Sequence, residues 1–356
     1  MLDISRAAVK EKSRSRNAIN HNGLVRVEFC LLLPGLMLAP VLESTVSGAA
    51  QAVRQAPSDM PAYSGRSLDS WLQDLVCTPC GPEFEPAVKA IRAMGPPAIP
   101  YLVERIQQER HDPLAVTAIR VLGPLAASAA PELTEFFRRN PSSLSAAMAL
   151  VYLSAEKPVI EALSSPTQQD RENAILAFGY GGAQVDSAAV PALIEHLEKG
   201  SPETRSRVIW ALSAIRKRED LVIPALLRVV EDQDSGMRRM AVEGLAGFSV
   251  ARTGDRLIAA LGDRDASVRS SAARSLGMSV ERTTDDGLVQ PIIAALIIRL
   301  SDPVADVRAD TAWALGAIGP RAKDAVVGLI ELTKDGNPQV SQSATASLAH
   351  INDKTR

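Results

Sequence analysis

Apolar and small residues near the end of the chain recur as Val307, Thr311, Ala314, Leu315 and Ile318. Their i, i+4, i+7, i+8, i+11 spacing is one stripe along an α-helix. The stripe overlays on four further segments, 204–215, 237–248, 268–279 and 340–351. A central leucine recurs at Leu212, Leu245, Leu276, Leu315 and Leu348, with spacings of 33, 31, 39 and 33 residues. In front of three of these helices lies another apolar stretch, clearest at 289–300 and repeated at 191–194 and 224–227. The 289–300 stretch is apolar on most faces, which predicts a first helix wedged between neighbours. Ser301-Asp302-Pro303 ends it, because proline cannot continue a helix and disfavours helical geometry in the residue before it. The second helix is expected from about Asp306, whose charge suits the positive end of the helix dipole, to Ile318 before Gly319-Pro320. A period in this range predicts an all-α stack in which each helix pair buries its apolar face on its neighbours.

Towards the N-terminus the pattern survives at 90–102 and 118–126 and blurs between about 140 and 182, where the spacing shrinks. A polar loop, 281–287, accounts for the longest spacing. The count is about eight helix pairs over 84–352, with 353–356 a short tail. Leu68, Trp71, Leu72 and Leu75 share one helical face, and Ser67 is placed to cap it, so 67–83 reads as a terminal cap over the apolar end of the stack. Residues 53–66, rich in Pro, Ser and Gly, read as a flexible connector.

The first 52 residues have a different character. A polar, basic stretch (1–26) precedes a 14-residue apolar run (29–42) and then Ala50-Gln51-Ala52, an arrangement that describes an export signal. With two prolines the run is short for a membrane span, which needs about 20 residues. The expected location is therefore periplasmic or extracellular, with membrane attachment only through 29–42 if the leader is retained. The formal net charge of the whole chain is −2, and without the leader 33 basic residues face 37 acidic ones. That balance argues against a nucleic-acid partner, which calls for a basic excess.

Three segments carry a family resemblance: DPVADVRADTAWALGAIGP (302–320), DRDASVRSSAARSLG (263–277) and GSPETRSRVIWALSAI (200–215). They resemble the HEAT-repeat family, in particular the short-repeat group called PBS-lyase-like HEAT repeats, over about residues 84–352. The resemblance implies a right-handed α-solenoid whose second helices line the concave side and whose commonest ligands are proteins. Residues 63–72 are also similar to the leader of exported bacterial HEAT proteins. The expected function is a non-enzymatic scaffold for a protein partner. The alternative is an enzyme on the same scaffold, bilin lyase-like or an oxidoreductase.

Seven residues before the central leucine stand Arg205, Arg238, Arg269 and Arg308. They suit either a basic ladder for an acidic partner or internal ties between repeats; Asp234 and Asp265, four residues upstream of Arg238 and Arg269, are the expected internal partners. Two residues before the leucine stand Trp210, Glu243, Arg274 and Trp313, which point off the core and form the candidate partner-binding ridge, since Trp and Arg dominate interface hot spots. The alternative is that each Trp packs between consecutive second helices. Cys77 and Cys80 form a C-x-x-C pair without a βαβ setting, a following His or a second pair, so a local disulfide is the expected state. The four histidines, His21, His111, His196 and His350, are scattered, and Glu195-His196 stands alone. No catalytic residue, metal site or cofactor site is expected.

Overall fold

The computed structural model describes residues 61–75, 84–108, 111–280 and 282–352. Eighteen α-helices alternate there between two layers. The first helices are α1 (Leu68–Asp74), α3 (Ile99–Gln108), α5 (Ala130–Arg139), α7 (Lys157–Ala162), α9 (Val190–Lys199), α11 (Glu219–Val229), α13 (Val250–Ala260), α15 (Asp286–Arg299) and α17 (Val326–Leu332). The second helices are α2 (Phe84–Met94), α4 (Pro113–Leu122), α6 (Leu144–Tyr152), α8 (Gln168–Gly181), α10 (Pro202–Ile215), α12 (Ser235–Leu245), α14 (Ala266–Val280), α16 (Ala305–Ile318) and α18 (Pro338–Asn352). Each first helix packs on its own second helix, and consecutive second helices pack on one another along the stack. The result is an α-solenoid of eight pairs, α3 to α18, preceded by the α1–α2 pair.

The turns are written locally. Side chains of Asp112, Ser143, Ser201, Asp234 and Asp285 accept the first free amides of α4, α6, α10, α12 and α15. Pro113 and Pro202 occupy first-turn positions that need no amide. Gly319 ends α16 at φ 69°, in the left-handed region.

Leu212, Leu245, Leu276 and Leu315 are completely buried, whereas Leu348, on the last helix, is partly covered. Small residues let the second helices approach closely: a Cβ on Gly277 would lie 2.9 Å from Ala314 Cα, and one on Gly316 would lie 2.8 Å from Ser347 Cα. Ser347 Oγ donates to the Ala312 carbonyl at 2.7 Å across the same contact. The wedged element is therefore the second helix. The first helix α15, expected to be covered on most faces, leaves Ile298 64% exposed. It also starts three residues before Val289, because Asp285 caps it through the Gly287 amide at 2.9 Å.

The connector expected to run to residue 66 ends earlier. Ala62–Tyr63 and Arg66–Ser67 pair as a two-stranded hairpin around Ser64 and Gly65, both at positive φ. Arg66 lies 3.8 Å above the Trp71 ring, and Trp71 Nε1 donates to the Tyr63 carbonyl at 3.2 Å, so the hairpin is fastened to α1. Ser67 caps α1 through the Ser70 amide. Asp69 then joins the cap to the next first helix by accepting from Tyr101 Oη and Arg105, each at 2.6 Å. Burial, with the Asp69 contact, pushes the Tyr101 phenol up to about 12. The stretch Pro113–Arg139 is long and apolar enough to cross a membrane. It is two helices, α4 and α5, of different layers, with a 3-10 segment at Gly123–Ala129 between them that begins at Gly123 (φ 55°). The segment expected to be an export leader and the Cys77–Cys80 pair lie outside the described residues.

The arginine column is engaged inside the stack. Arg238 binds Asp263 through Nε and Nη2, both at 2.8 Å, and Arg269 binds Asp302 with the same two distances. Arg308 reaches Asp335 at 2.8 and 3.0 Å, and Arg205 reaches Asp232 at 2.5 Å. Each acceptor sits in the turn of the following repeat. The Nη1 groups of Arg238, Arg269 and Arg308 meanwhile donate to carbonyls of their own turns. Asp234 and Asp265 are not the partners. They cap their own helices by accepting from the amides of Met237 and Ser267, which turns them away from the guanidinium groups.

The ladder aspartates sit below the usual carboxylate range. At Asp263 and Asp302 burial opposes ionisation but is outweighed by Arg238 and Arg269. At Asp335 the Arg308 contact leads, and at Asp232 the Asp234 amide does. Depressed carboxylates stabilise the fold above their unfolded pKa of about 3.9 and lose that contribution as pH falls through their lower folded values. The melting temperature is thus expected to be flat from neutrality to about pH 5 and to fall below about pH 4. Asp302→Ala, which strands the nearly buried Arg269, should cost about 3 kcal/mol in urea unfolding and make the acid fall shallower. An unchanged midpoint would show that the rung does not hold the repeats.

Candidate functional site

Positions two before and two after the central apolar residue of a second helix lie one helical turn apart, on the side away from the core. Across consecutive second helices they line up into a continuous stripe with two halves.

The first half is aromatic. The Arg120 guanidinium on α4 lies 5.7 Å from the centroid of Tyr152 on α6. Tyr152 Oη donates to the Tyr180 carbonyl on α8 at 3.2 Å. The Tyr180 ring meets Trp210 of α10 edge to face, with centroids 5.1 Å apart and planes at 79°. Trp210 is seated in a notch made by Gly179, where a Cβ would overlap the indole ring. Below it, Arg207 is ion-paired with Glu172. Burial pushes the Tyr152 phenol up.

The second half is a charge network across α12, α14 and α16. Arg239 donates to Glu243 at 2.9 Å, and Ser271 Oγ donates to the same carboxylate at 2.7 Å. Arg274 stands between two carboxylates, 3.9 Å from Glu243 and 3.7 Å from Asp310. Ser270 Oγ donates to Asp310. Burial pushes the Asp310 carboxyl up, against the opposing pull of Ser270 and Arg274. Trp313, one turn beyond Asp310 on α16, is 43% exposed.

The four ridge residues named from the sequence thus fall in one layer with different surroundings. Glu243 and Arg274 belong to one network, Trp210 is packed between second helices, and Trp313 is open. Sequence reasoning missed Tyr152, Tyr180, Asp310 and the ladder acceptors. The acceptors had a signal: Asp232, Asp263 and Asp302 each stand six residues before the next arginine of the column. Arg171 extends the column one repeat upstream, donating to the Ser165 and Pro166 carbonyls at 2.6 and 2.9 Å. Phe178 replaces the central leucine there.

A separate open groove of about 1030 Å³ lies where α7 is only six residues long, bordered by Arg138, Glu156, Lys157, Asp186 and Lys217. Both Glu156 oxygens accept the Asp186 amide at 2.9 Å, and burial pushes the Glu156 carboxyl up. Among the described residues no cluster of three or more His, Cys, Asp or Glu is arranged to hold a metal ion. His196 Nε2 lies 2.8 Å from the Leu163 carbonyl oxygen, a contact that ties two repeats.

Stacked helix pairs, small-residue contacts and turn-to-turn arginines define a HEAT-type solenoid. A family model described as HEAT repeats matches residues 156–238 and 223–290, and one described as HEAT-like repeat matches 266–318. An uncharacterized phycocyanin operon protein Z of Pseudanabaena tenuis (strain PCC 7409) is 26% identical over 165 residues, which is 46% of this chain and 80% of the relative. Residues 156–318 thus match HEAT repeats, and the chain is similar to the PBS-lyase-like group of them. Among solved structures, a designed armadillo repeat protein in complex with the peptide (KR)4 matches 55% of this chain and 98% of its own at 20% identity, TM-score 0.42. The complex of CpcE and CpcF of phycocyanin lyase from Nostoc sp. PCC7120 matches 46% and 99% at 22% identity, TM-score 0.39.

Gly179→Ala should displace the Trp210 ring, cost about 1–3 kcal/mol by overpacking, and shift the tryptophan emission. Wild-type emission and melting temperature in that variant would show that the notch is not needed.

Proposed function

We propose that this chain is a non-enzymatic scaffold that offers the second-helix stripe to a protein partner outside the cytoplasm. The observation that supports it best is Trp313. Among the described large apolar side chains more than a third exposed, Trp313 and Tyr180 are the two on second helices. Trp313 stands beside a charge network that is already internally satisfied. A large aromatic left open on a rigid layer is the usual make-up of an interface anchor. Stacked helices need little reordering on binding, which keeps the entropic cost low. The location rests on the basic stretch and apolar run of the leader.

A second reading is enzymatic, of the bilin lyase or oxidoreductase kind, and the phycocyanin operon relative is what favours it. The two separate on content. An enzyme of that kind, once purified, carries iron or shifts the absorbance of an added tetrapyrrole, and a scaffold does neither.

Immobilised wild-type chain should retain a partner from native-host extract that mass spectrometry identifies. With that partner purified, Trp313→Ala should weaken binding by about 2 kcal/mol, roughly thirtyfold, and leave the melting temperature unchanged. Equal affinity in the variant, or a bound tetrapyrrole, would sink the scaffold reading.

A further inference from the structure

We infer that the outer face of α15 and α17 joins two copies of this chain back to back. The inference goes beyond the scaffold reading, because this face belongs to the first-helix layer, away from the stripe.

The make-up of that layer is the first argument. Elsewhere the first helices turn charge to water: α9 exposes Glu195, Glu198 and Lys199, and α13 exposes Arg252, Asp255 and Arg256. Beyond its first turn α15 exposes Gln290, Pro291, Ala294 and Ile298, the last three along one side at i, i+3, i+7. On α17 Val327 is 72% exposed, and Ile330, one turn on, is half exposed. The two helices touch, since a Cβ on Gly328 would lie 2.8 Å from Leu300 Cδ1. Contiguous apolar surface of this kind marks a site of association.

The border of the face names the occupant. Beside α17, Lys323 and Lys334 are offset by Asp324 and Glu331, and beside α15, Arg299 is offset by Asp286. An anionic bilayer or a charged peptide selects a border of one sign. A mixed border suits an identical face instead, because a two-fold axis can bring the lysines of one copy to the carboxylates of the other. A copy does not simply lengthen the stack, since α18 closes the C-terminal end with exposed Gln342, Thr345 and His350. A closed pair covers the apolar face of both partners and leaves no further face open.

Size sets the strength. α15 has 14 residues, about 21 Å, and two packed helices are about 20 Å wide. The face is thus roughly 400 Å² in outline, below the roughly 800 Å² per partner of a standard interface, so the pair is weak and reversible. Its effect is on valency. The two stripes face away from each other, and an assembly that repeats the epitope engages both.

Sedimentation equilibrium of the full chain should show a monomer–dimer equilibrium in the micromolar range. Val327→Asp and Ile298→Asp should each weaken it about tenfold or more, because each buries an unpaired carboxylate in the pair. Both positions are open in the single chain, so the melting temperature at low concentration should not change. Trp313→Ala, on the other layer, should leave the association as it is. A chain that stays monomeric to near-millimolar concentration overturns the proposal. So does association indifferent to both aspartates, as the apolar run of the leader would give, or one that grows beyond two copies. Binding to phosphatidylglycerol vesicles that Val327→Asp abolishes, in a chain that stays monomeric, would assign the face to lipid and overturn it too.

Discussion

No helix pair in this chain can bury its own apolar stripe, and the stack follows from that constraint. A two-helix unit has one partner inside itself, whereas the stripe led by Leu212, Leu245, Leu276 or Leu315 needs cover from both sides. Cover comes from the second helices of the adjacent repeats. These helices are rich in Ala, Gly and Ser where they touch, so their backbones come within van der Waals reach at Gly277–Ala314 and Gly316–Ser347. The first helices, bulkier and less enclosed, can leave residues such as Ile298 in water.

Apolar stripes made of repeated leucines and alanines do not by themselves fix which turn faces which. The guanidinium–carboxylate rungs do. Each joins a second helix to the turn of the next repeat at a single register, and Nη1 closes the arginine's own turn. A buried ion pair about breaks even against an apolar substitute, but a lone buried charge costs several kcal/mol. The rungs thus penalise a slipped stack more than they stabilise the correct one. Ser341 takes the arginine's place on α18, whose outer face is polar with Gln342, Thr345 and His350 exposed.

Because the core uses the same few positions from repeat to repeat, and the rungs do so from α10 to α16, the positions two residues either side of the central apolar residue are free to vary. Along the stack they change from Tyr152, Tyr180 and Trp210 to Glu243 and Arg274, which Ser271 and Asp310 one turn earlier join in a network, and end at an open Trp313. This variation on a regular scaffold is what gives one repeat protein a surface different from another's. Close packing still limits it, as the Gly179 notch for Trp210 shows.

The repeat period, the alternation of first and second helices, the central leucines and the arginine column were legible in the sequence, because each recurs at one helical register. Local chemistry also revealed the Ser67 cap and the turns at proline and glycine. Long-range choices were not legible. Asp263 and Asp302, rather than Asp234 and Asp265, take the arginines, since only the stack brings the next repeat's turn within reach while the nearer acids serve as caps. Tyr180 joins Trp210 from a position one turn further along its helix, a pairing visible only once α8 and α10 are side by side. Sequence by itself determined the kind of unit and the rhythm of its repetition, which depend on contacts within a few residues. Tertiary structure decided which outward side chains meet and which are left open, because those contacts join residues about thirty positions apart.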